Sequence, residues 1–312
     1  MSPTSGPNPG PTDDGLLAAT AAIVVHHKSY PEIIGTVEAL IAQGLDPDQV
    51  LVVDNSESRE LGEKLRAELP GGVALELVPN NGYAAAINHA MDSLTRDGRR
   101  PDYLLVSTHE TRPGPGALLA MLQALAQDER LGVVGPVLTN ATLSATQVWS
   151  TGGRITSFAR RAVHARGLEP ATGGRGPLPT VVARDWLDGS FCLYRSRALG
   201  ARRMSEDYFL YFEEVDFHLG LKADGWTVGC VTAARVAQSS NGMPPYYHGR
   251  NLRLFQHRHG SPVSRVAALP LGAAQMGRAV LARRRPARDL VMFLRGWFSW
   301  RQGSSPRTPQ GR

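Results

Sequence analysis

The sequence predicts an α/β protein built on a mostly parallel sheet with flanking helices. Over residues 20–140, short apolar runs alternate with amphipathic segments, and polar residues or turn-forming Gly, Pro and Asn separate them. A parallel pair of strands needs a crossover connection, usually a helix, and such crossovers are right-handed. The alternation therefore indicates successive βαβ units.

The elements of this half can be assigned in order. Residues 21–27 are an apolar run typical of a buried strand, and Pro31 then opens a helix whose apolar residues share one face. The second strand, 49–56, ends in polar residues. The other predicted elements are a helix ending at Leu69, a strand at 73–78, a helix after Asn81-Gly82, a strand at 102–107, a helix at 117–127 and a strand at 131–138.

The pattern changes after residue 140. Residues 168–180 are rich in Gly and Pro, and we expect a mobile loop there. A further strand is predicted at 184–196, and residues 206–226 begin aromatic and acidic and become a helix. Residues 227–231 close the core, and 246–260 form a helix. We expect a disordered leader at 1–19, a main domain at 20–260 (halves 20–140 and 141–260), a basic amphipathic helical tail at 261–302 and a disordered end at 303–312.

Charge is concentrated in the tail. The chain carries a net charge of +6, but residues 253–312 contain 12 Arg and one acid, so they carry +11 and the remainder carries 6 − 11 = −5. This excludes a nucleic-acid groove on the main domain. Within 283–302, Arg residues alternate with apolar ones, which predicts peripheral contact with a membrane surface. The alternative is that this helix packs on the domain or on another subunit, as in a homodimer.

Other features point to a cytoplasmic protein, peripheral at most on the inner face of the membrane. The first residues lack the basic start and apolar stretch of a signal peptide, and no apolar run reaches about 18 residues. Cys192 and Cys230 lie in apolar surroundings without metal-ligand spacing, which indicates reduced core residues.

Seven segments, in order, resemble glycosyltransferase family 2, the inverting enzymes with the GT-A fold, and are most similar to its rhamnosyltransferase-like branch. The resemblance covers roughly residues 20–260. The segments are "IVVHHKSYPE", "VLVVDNSES", "NNGYAAAIN", "YLLVSTHETRPGPGAL", "WLDGSFCLYRSRAL", "YFLYFEEVDFHLGLKADGW" and "YYHGRNLRLFQHRHG".

The resemblance implies an enzyme that moves a sugar from a dTDP- or UDP-sugar to a hydroxyl of a glycan, a lipid-linked saccharide or a small molecule, with no organic cofactor. Nucleotide contacts are expected at the strand ends and the glycine turn, and acceptor or sugar contacts in "WLDGS". Capping of the turn by Asp54 is the competing interpretation. The nucleotide residues are His27, Lys28, Asp54, Asn55, Gly82, Asn88, Thr108 and His109, and the acceptor residues are Trp186 and Asp188.

The expected catalytic base lies in "FEEVD". Glu214 matches the family's base, and Glu213 and Asp216 are its neighbours. Three carboxylates within four residues raise one another's pKa values, which suits a group that accepts a proton. The alternative is an acidic first turn that complements the helix dipole.

The metal motif departs from the family. Glu110 stands in place of its final aspartate, Gln238 in place of a histidine after the last strand, and Gly220 in place of an arginine. Either Glu110 still holds Mg²⁺ or Mn²⁺ with the diphosphate, with His109 favouring Mn²⁺, or Arg250 and His248 neutralise the leaving group without metal while His109 donates a hydrogen bond. A non-catalytic binding protein and a sugar nucleotidyltransferase are the rival functions.

Overall fold

The computed structural model describes residues 11–140, 147–165, 180–239 and 242–301. Its centre is a ten-stranded mixed sheet, and a separate two-stranded ribbon lies beside it. The strands are β1 (Thr20–His26), β2 (Val50–Asp54), β3 (Ala74–Leu77), β4 (Tyr103–Thr108), β5 (Thr111–Pro113), β6 (Leu131–Asn140), β7 (Val148–Ser150), β8 (Gly153–Ile155), β9 (Ala162–His164), β10 (Val181–Arg184), β11 (Phe191–Arg195) and β12 (Thr227–Gln238).

Helices flank this sheet, as the sequence predicts. A cluster of three follows the last strand and packs together beside the acidic segment. The helices are α1 (Asp13–Ala18), α2 (Glu32–Ile41), α3 (Arg59–Glu68), α4 (Tyr83–Arg96), α5 (Ala117–Gln127), α6 (Ser196–Leu199), α7 (Glu213–Ala223), α8 (Pro245–His259), α9 (Pro262–Leu281) and α10 (Arg288–Phe298).

The sheet order brings the ends of three parallel strands together. The main path runs β10-β12-β6-β11-β4-β1-β2-β3, with β1, β2, β3 and β4 parallel to one another. Strand β11 is antiparallel to both β4 and β6. The carboxyl ends of β1, β2 and β4 therefore meet at one edge, where α/β sheets bind ligands.

Burial on both faces explains the uninterrupted apolar strands. In β1, Ala22 and Val24 join one core cluster with α2 and α5, while Ala21, Ile23 and Val25 join the other with α4 and α7. A strand covered on both faces loses the alternation of polar and apolar residues. The cysteines also behave as predicted, since Cys192 and Cys230 are buried and free.

The leader and the tail differ from the sequence expectation. Helix α1 occupies residues predicted to be disordered, capped by the Thr12 hydroxyl and anchored by buried Leu16. In the tail, the helical stretch expected at 261–302 consists of two helices, α9 and α10, and Pro270 lies inside α9. The expected mobile loop at 168–180 lies, except for residue 180, outside the described residues, as do residues 302–312.

The apolar face of the tail helix packs on the domain rather than facing lipid. Phe293 and Trp297 are buried against α8 in a third core cluster. The two helices approach so closely that a Cβ at Gly249 would lie 1.9 Å from the Phe293 carbonyl oxygen, and one at Gly296 would lie 2.0 Å from that of Tyr246. This is the packing alternative that the sequence left open. Among the described helices, none is long and apolar enough to cross a bilayer.

Candidate active site

A buried carboxylate–imidazole pair stands at the ends of β1 and β2. Asp54 is 2% exposed, and its Oδ1 accepts hydrogen bonds from Nδ1 of His26 (2.9 Å) and from the backbone N–H and hydroxyl of Ser56. Burial alone would raise the pKa of Asp54, but the hydrogen bonds from His26 and Ser56 outweigh it and lower the pKa. Because Asp54 binds Ser56 in the turn after β2, the structure supports the interpretation that Asp54 caps this turn rather than contacting a nucleotide.

The other predicted nucleotide residues at this edge surround that pair. His27 and Lys28 are exposed, and the Lys28 backbone N–H donates to the Ser56 hydroxyl. Asn55 is buried, and its side-chain oxygen lies 3.1 Å from Nδ1 of His27. His27 and Lys28 can therefore reach a ligand directly, whereas Asn55 orients His27.

Gly82 immediately precedes α4 and has φ +102°, a conformation that favours glycine. A Cβ there would lie 2.3 Å from the Phe209 carbonyl oxygen, which accepts the Tyr83 backbone N–H at 2.8 Å. The turn thus holds the segment before α7 against the start of α4. Asn88 was predicted to face the nucleotide, but its amide bonds the backbone of Met204 and the carboxylate of Glu206.

The altered metal motif forms a compact cluster after β4. Oε1 of Glu110 accepts a hydrogen bond from Nε2 of Gln238 at 2.9 Å, and its Oε2 lies 3.0 Å from Nε2 of His109. Two of the positions where the sequence departs from the family thus touch each other. The third departure, Gly220, has the Arg202 guanidinium where a side chain would project, 2.7 Å from its Cβ position.

The donor atoms of this cluster fit a divalent cation. Nδ1 of His109 lies 3.3 Å from the Val25 carbonyl oxygen, which can only accept, so Nδ1 carries the proton and the Nε2 lone pair faces Glu110. The Oε1 atom of Gln238 is buried without a partner in the described part of the chain. A mixed nitrogen and oxygen set favours Mn²⁺ over Mg²⁺. No group of three or more His, Cys, Asp or Glu side chains suited to a metal occurs among the described residues.

A second cluster places carboxylates around Tyr83. The Tyr83 hydroxyl donates to the Gly189 carbonyl oxygen at 2.7 Å, and a Cβ at Gly189 would lie 3.2 Å from the Cβ of Glu214. Glu213 is 2% exposed, and its Oε2 has no hydrogen-bond partner among the described residues. Glu214 is partly exposed, so it is the acid of the pair that a substrate can reach.

These acids favour their protonated forms. Burial raises the pKa of Glu213 to about 7. Burial and the neighbouring Glu213 charge raise the pKa of Glu214 well above its usual value, and Asp188 adds to the effect. Burial also raises the pKa of Asp188, against the opposing effect of His164. Such a cluster suits proton transfer near neutral pH.

The segment before the acids is strained. Phe209, Tyr211 and Phe212 have φ values of 64°, 69° and 75°, which are rare for bulky residues and cost about 1–2 kcal/mol each. Two residues in the middle of α8 hold this conformation. Nη1 of Arg250 donates to the Asp207 carbonyl oxygen at 2.7 Å, and Nδ2 of Asn251 donates to the carbonyl oxygens of Leu210 and Tyr211 at 2.7 and 2.9 Å.

Two predicted diphosphate residues therefore have other roles. Arg250 is 2% exposed and binds backbone, so it positions the acidic segment and does not face a leaving group. His248 lies edge-on to Phe293 of α10, with ring centroids 5.3 Å apart, and burial lowers its pKa to about 4. Motif matching identified both positions but not the direction of the side chains.

Asp216 also points away from the acid cluster. Its carboxylate lies 2.5 Å from Nε2 of His259, 3.4 Å from Nη1 of Arg258 and 3.2 Å from the Tyr208 hydroxyl. These contacts tie α7 to the end of α8. The structure therefore gives Asp216 a structural role in place of the catalytic one expected for it.

The predicted acceptor residues lie beside the β8–β9 ribbon. Asp188 accepts a hydrogen bond from the Ser150 hydroxyl, which lies 3.1 Å from Nδ1 of His164. The His164 ring packs edge-on against Trp186 at 4.9 Å and Trp149 at 5.9 Å. Both indole N–H groups are buried without partners in the described part of the chain.

Several residues of these clusters escaped the sequence prediction. They are His26, Tyr83, Ser150 and His164. Only Tyr83 carried a usable signal, since it follows the glycine turn of a family motif. Thr108, a predicted nucleotide residue, ends β4; its backbone N–H donates to the Ser190 carbonyl oxygen, and its buried hydroxyl has no partner among the described residues.

Comparisons with known proteins identify related sequences. A model described as glycosyl transferase family 2 matches residues 21–169. The N-acetylglucosaminyl-diphospho-decaprenol L-rhamnosyltransferases of Mycobacterium tuberculosis strains CDC 1551 / Oshkosh and ATCC 25618 / H37Rv are each 28% identical over 222 residues, covering 65% of this chain and 71% of theirs.

Two solved structures share the fold of this chain. A mannosyltransferase from Pyrobaculum calidifontis, solved with GDP-Man and Mn²⁺, superposes with a TM-score of 0.54 at 13% identity, covering 90% of this chain and 86% of its own. GalNAc-T7, solved with UDP, GalNAc and Mn²⁺, gives a TM-score of 0.57 at 13% identity over 76% of this chain. This chain spans about half the length of GalNAc-T7, 48%.

Proposed function

The chain belongs to glycosyltransferase family 2 and moves a sugar from a nucleotide donor, and from this premise we propose that it transfers the sugar of a dTDP- or UDP-sugar, with inversion, to a hydroxyl of a lipid-linked saccharide. The observation that carries the proposal is the acid cluster around Tyr83, where the partly exposed Glu214 has a raised pKa beside Glu213 and Asp188. The relatives named as decaprenol-linked rhamnosyltransferases favour the lipid-linked acceptor over a soluble one.

Glu214 acts as the general base in a direct displacement. The acceptor oxygen forms a bond to the anomeric carbon while the bond from that carbon to the donor phosphate breaks. The bonding electrons leave with the nucleoside diphosphate, and the acceptor proton passes to the Glu214 carboxylate. Glu213 stays buried behind it, and its charge raises the proton affinity of Glu214.

The cluster of Glu110, His109 and Gln238 holds the donor diphosphate end. A divalent cation bound by Glu110 and His109 would supply positive charge to the leaving diphosphate. Gln238 fixes one oxygen of Glu110, so the other faces His109. Asp188, held by the Ser150 hydroxyl, orients the acceptor sugar.

Replacement of the base tests this function. We expect Glu214→Gln to lower kcat by about 10²–10⁴-fold with donor binding unchanged, because proton transfer is lost and the shape is kept. Asp216→Asn is the matched control. Asp216 lies two residues further along the same helix and contacts α8, so this variant should retain most of the activity. Equal losses in both variants, or a loss below tenfold in Glu214→Gln, would contradict the assignment.

A further inference from the structure

Exposed apolar side chains concentrate on the last two helices. Of nine large apolar residues exposed by 39% or more in the described part of the chain, six lie in α9 or α10. At about 100° per residue, Val263, Val266 and Leu281 share one side of α9. That side is opposite the buried one, which packs on the domain through every fourth residue. The buried residues of α9 are Ser264, Ala268, Gly272 and Met276.

The same region is strongly cationic. Residues 253–312 hold 12 Arg and a single acid, Asp289. That acid is already paired, since its Oδ2 lies 3.0 Å from Nη1 of Arg285. An apolar face rimmed by arginine matches the headgroup region of an anionic bilayer, where each Lys or Arg adds to binding.

A groove beside this face collects three arginines. It encloses about 660 Å³ and combines the guanidinium groups of Arg161, Arg278 and Arg284 with Gln275 and a wall of Ala and Leu. Arg161 Nη2 donates to the Gln275 side-chain oxygen. Within the described residues, no carboxylate lies within 4.0 Å of any of these arginines, so their charge is available to an anion.

The groove adjoins the acceptor side of the candidate active site. Arg161 immediately precedes β9, which ends at His164, and Nδ1 of His164 lies 3.9 Å from Oδ2 of Asp188. Three residues of extended chain span about 10 Å. That separation is short enough for a molecule whose sugar lies at Asp188 to place its phosphates at Arg161.

We propose that this groove binds the diphosphate of a membrane lipid while the exposed face of α9 rests on the bilayer. The proposal rests on the lipid-linked acceptor of the proposed function. Guanidinium groups bind phosphate oxygens in paired hydrogen bonds, and the apolar face of α9 receives the lipid chain. The sequence predicted a lipid contact for the tail. Because the apolar face of α10 is buried, this contact is assigned to α9.

Vesicle flotation of the full chain tests the groove. The probes are phosphatidylcholine vesicles alone, with 5% farnesyl diphosphate, and with 20% phosphatidylglycerol. We expect the wild type to prefer the diphosphate vesicles, and Arg278→Ala/Arg284→Ala to lose at least about tenfold of that binding. The matched control, Arg66→Ala/Arg100→Ala, removes equal charge from exposed positions elsewhere and should bind like the wild type.

A second variant tests the face of α9. Val266→Ser/Leu281→Ser should weaken binding to all three vesicles, because both side chains are exposed and their loss removes apolar contact without opening a core. Three results would overturn the proposal: wild-type binding by either double variant, equal weakening by the control, or binding of free diphosphate without any binding to vesicles. Calorimetric binding of UDP and dTDP, measured on the same proteins, separates the two claims: its absence in the wild type refutes the proposed function, whereas its retention in the groove variants is expected.

Discussion

The buried Glu213 carboxylate makes folding stability depend on pH. Its pKa is about 7 in the folded protein against an ordinary value of 4.5, because burial disfavours the charged form. An acid with a raised folded pKa favours folding most when it is protonated, below its unfolded pKa. That contribution is lost as the pH rises through 4.5 toward the folded value and is gone above about 7.

Replacing Glu213 with Gln removes this dependence. Each pKa unit corresponds to about 1.4 kcal/mol, so the full gap is worth about 3 kcal/mol. The variant should exceed the wild type in unfolding free energy by about 3 kcal/mol at pH 8 and by about 1 kcal/mol or less at pH 5.

Urea unfolding at the two pH values measures both differences, and subtracting wild type from variant cancels the titrating groups that Glu213 does not perturb. Glu38→Gln, at an exposed position in the middle of α2, is the control and should show the same small difference at both pH values. A Glu213→Gln difference that is independent of pH, or a variant less stable than the wild type at pH 8, would refute the reasoning.

Three further substitutions test the packing and the metal cluster. Gly82→Ala should cost about 3 kcal/mol in urea unfolding and lower kcat more than tenfold, because its Cβ would meet the Phe209 carbonyl at 2.3 Å; a cost below 0.5 kcal/mol would contradict the contact. Gln238→His should tighten Mn²⁺ binding at least about tenfold by calorimetry, since it adds an imidazole beside Glu110, and an unchanged affinity would show that this position does not face the cation. Trp297→Ala should lower the unfolding free energy by about 3–5 kcal/mol, and a near-neutral result would mean that α10 does not pack on α8.

The buried strands and the acidic segment could be predicted from the sequence because their signals are local. Buried parallel strands are continuous apolar runs, and "FEEVD" places its acids next to one another. Long-range contacts carry no such signal. Asn88 meets Met204 across 116 residues, and the buried His26, not the neighbouring His27, meets Asp54. Whether a side chain faces the ligand or the backbone depends on the packed fold, as Arg250 shows.

The tail illustrates the same limit. Its amphipathic pattern predicted an apolar face correctly, but periodicity cannot say whether lipid or protein covers that face. Gly249 and Gly296 let α8 and α10 approach closely, so that protein covers the apolar face of α10. This contact is apparent only once both helices are placed. Helix α9 lies within the helical tail predicted at 261–302, and it continues through Pro270.

The pH dependence of kcat/KM in the wild type and in Glu213→Gln tests most directly whether Glu214 is the base. Activity should rise with pH along an acidic limb well above pH 4.5, because burial and the Glu213 charge raise the pKa of Glu214. In the variant that limb should move to lower pH, since the neighbouring charge is gone. Limbs at the same pH in both proteins, or an acidic limb near pH 4.5 in the wild type, would contradict the account.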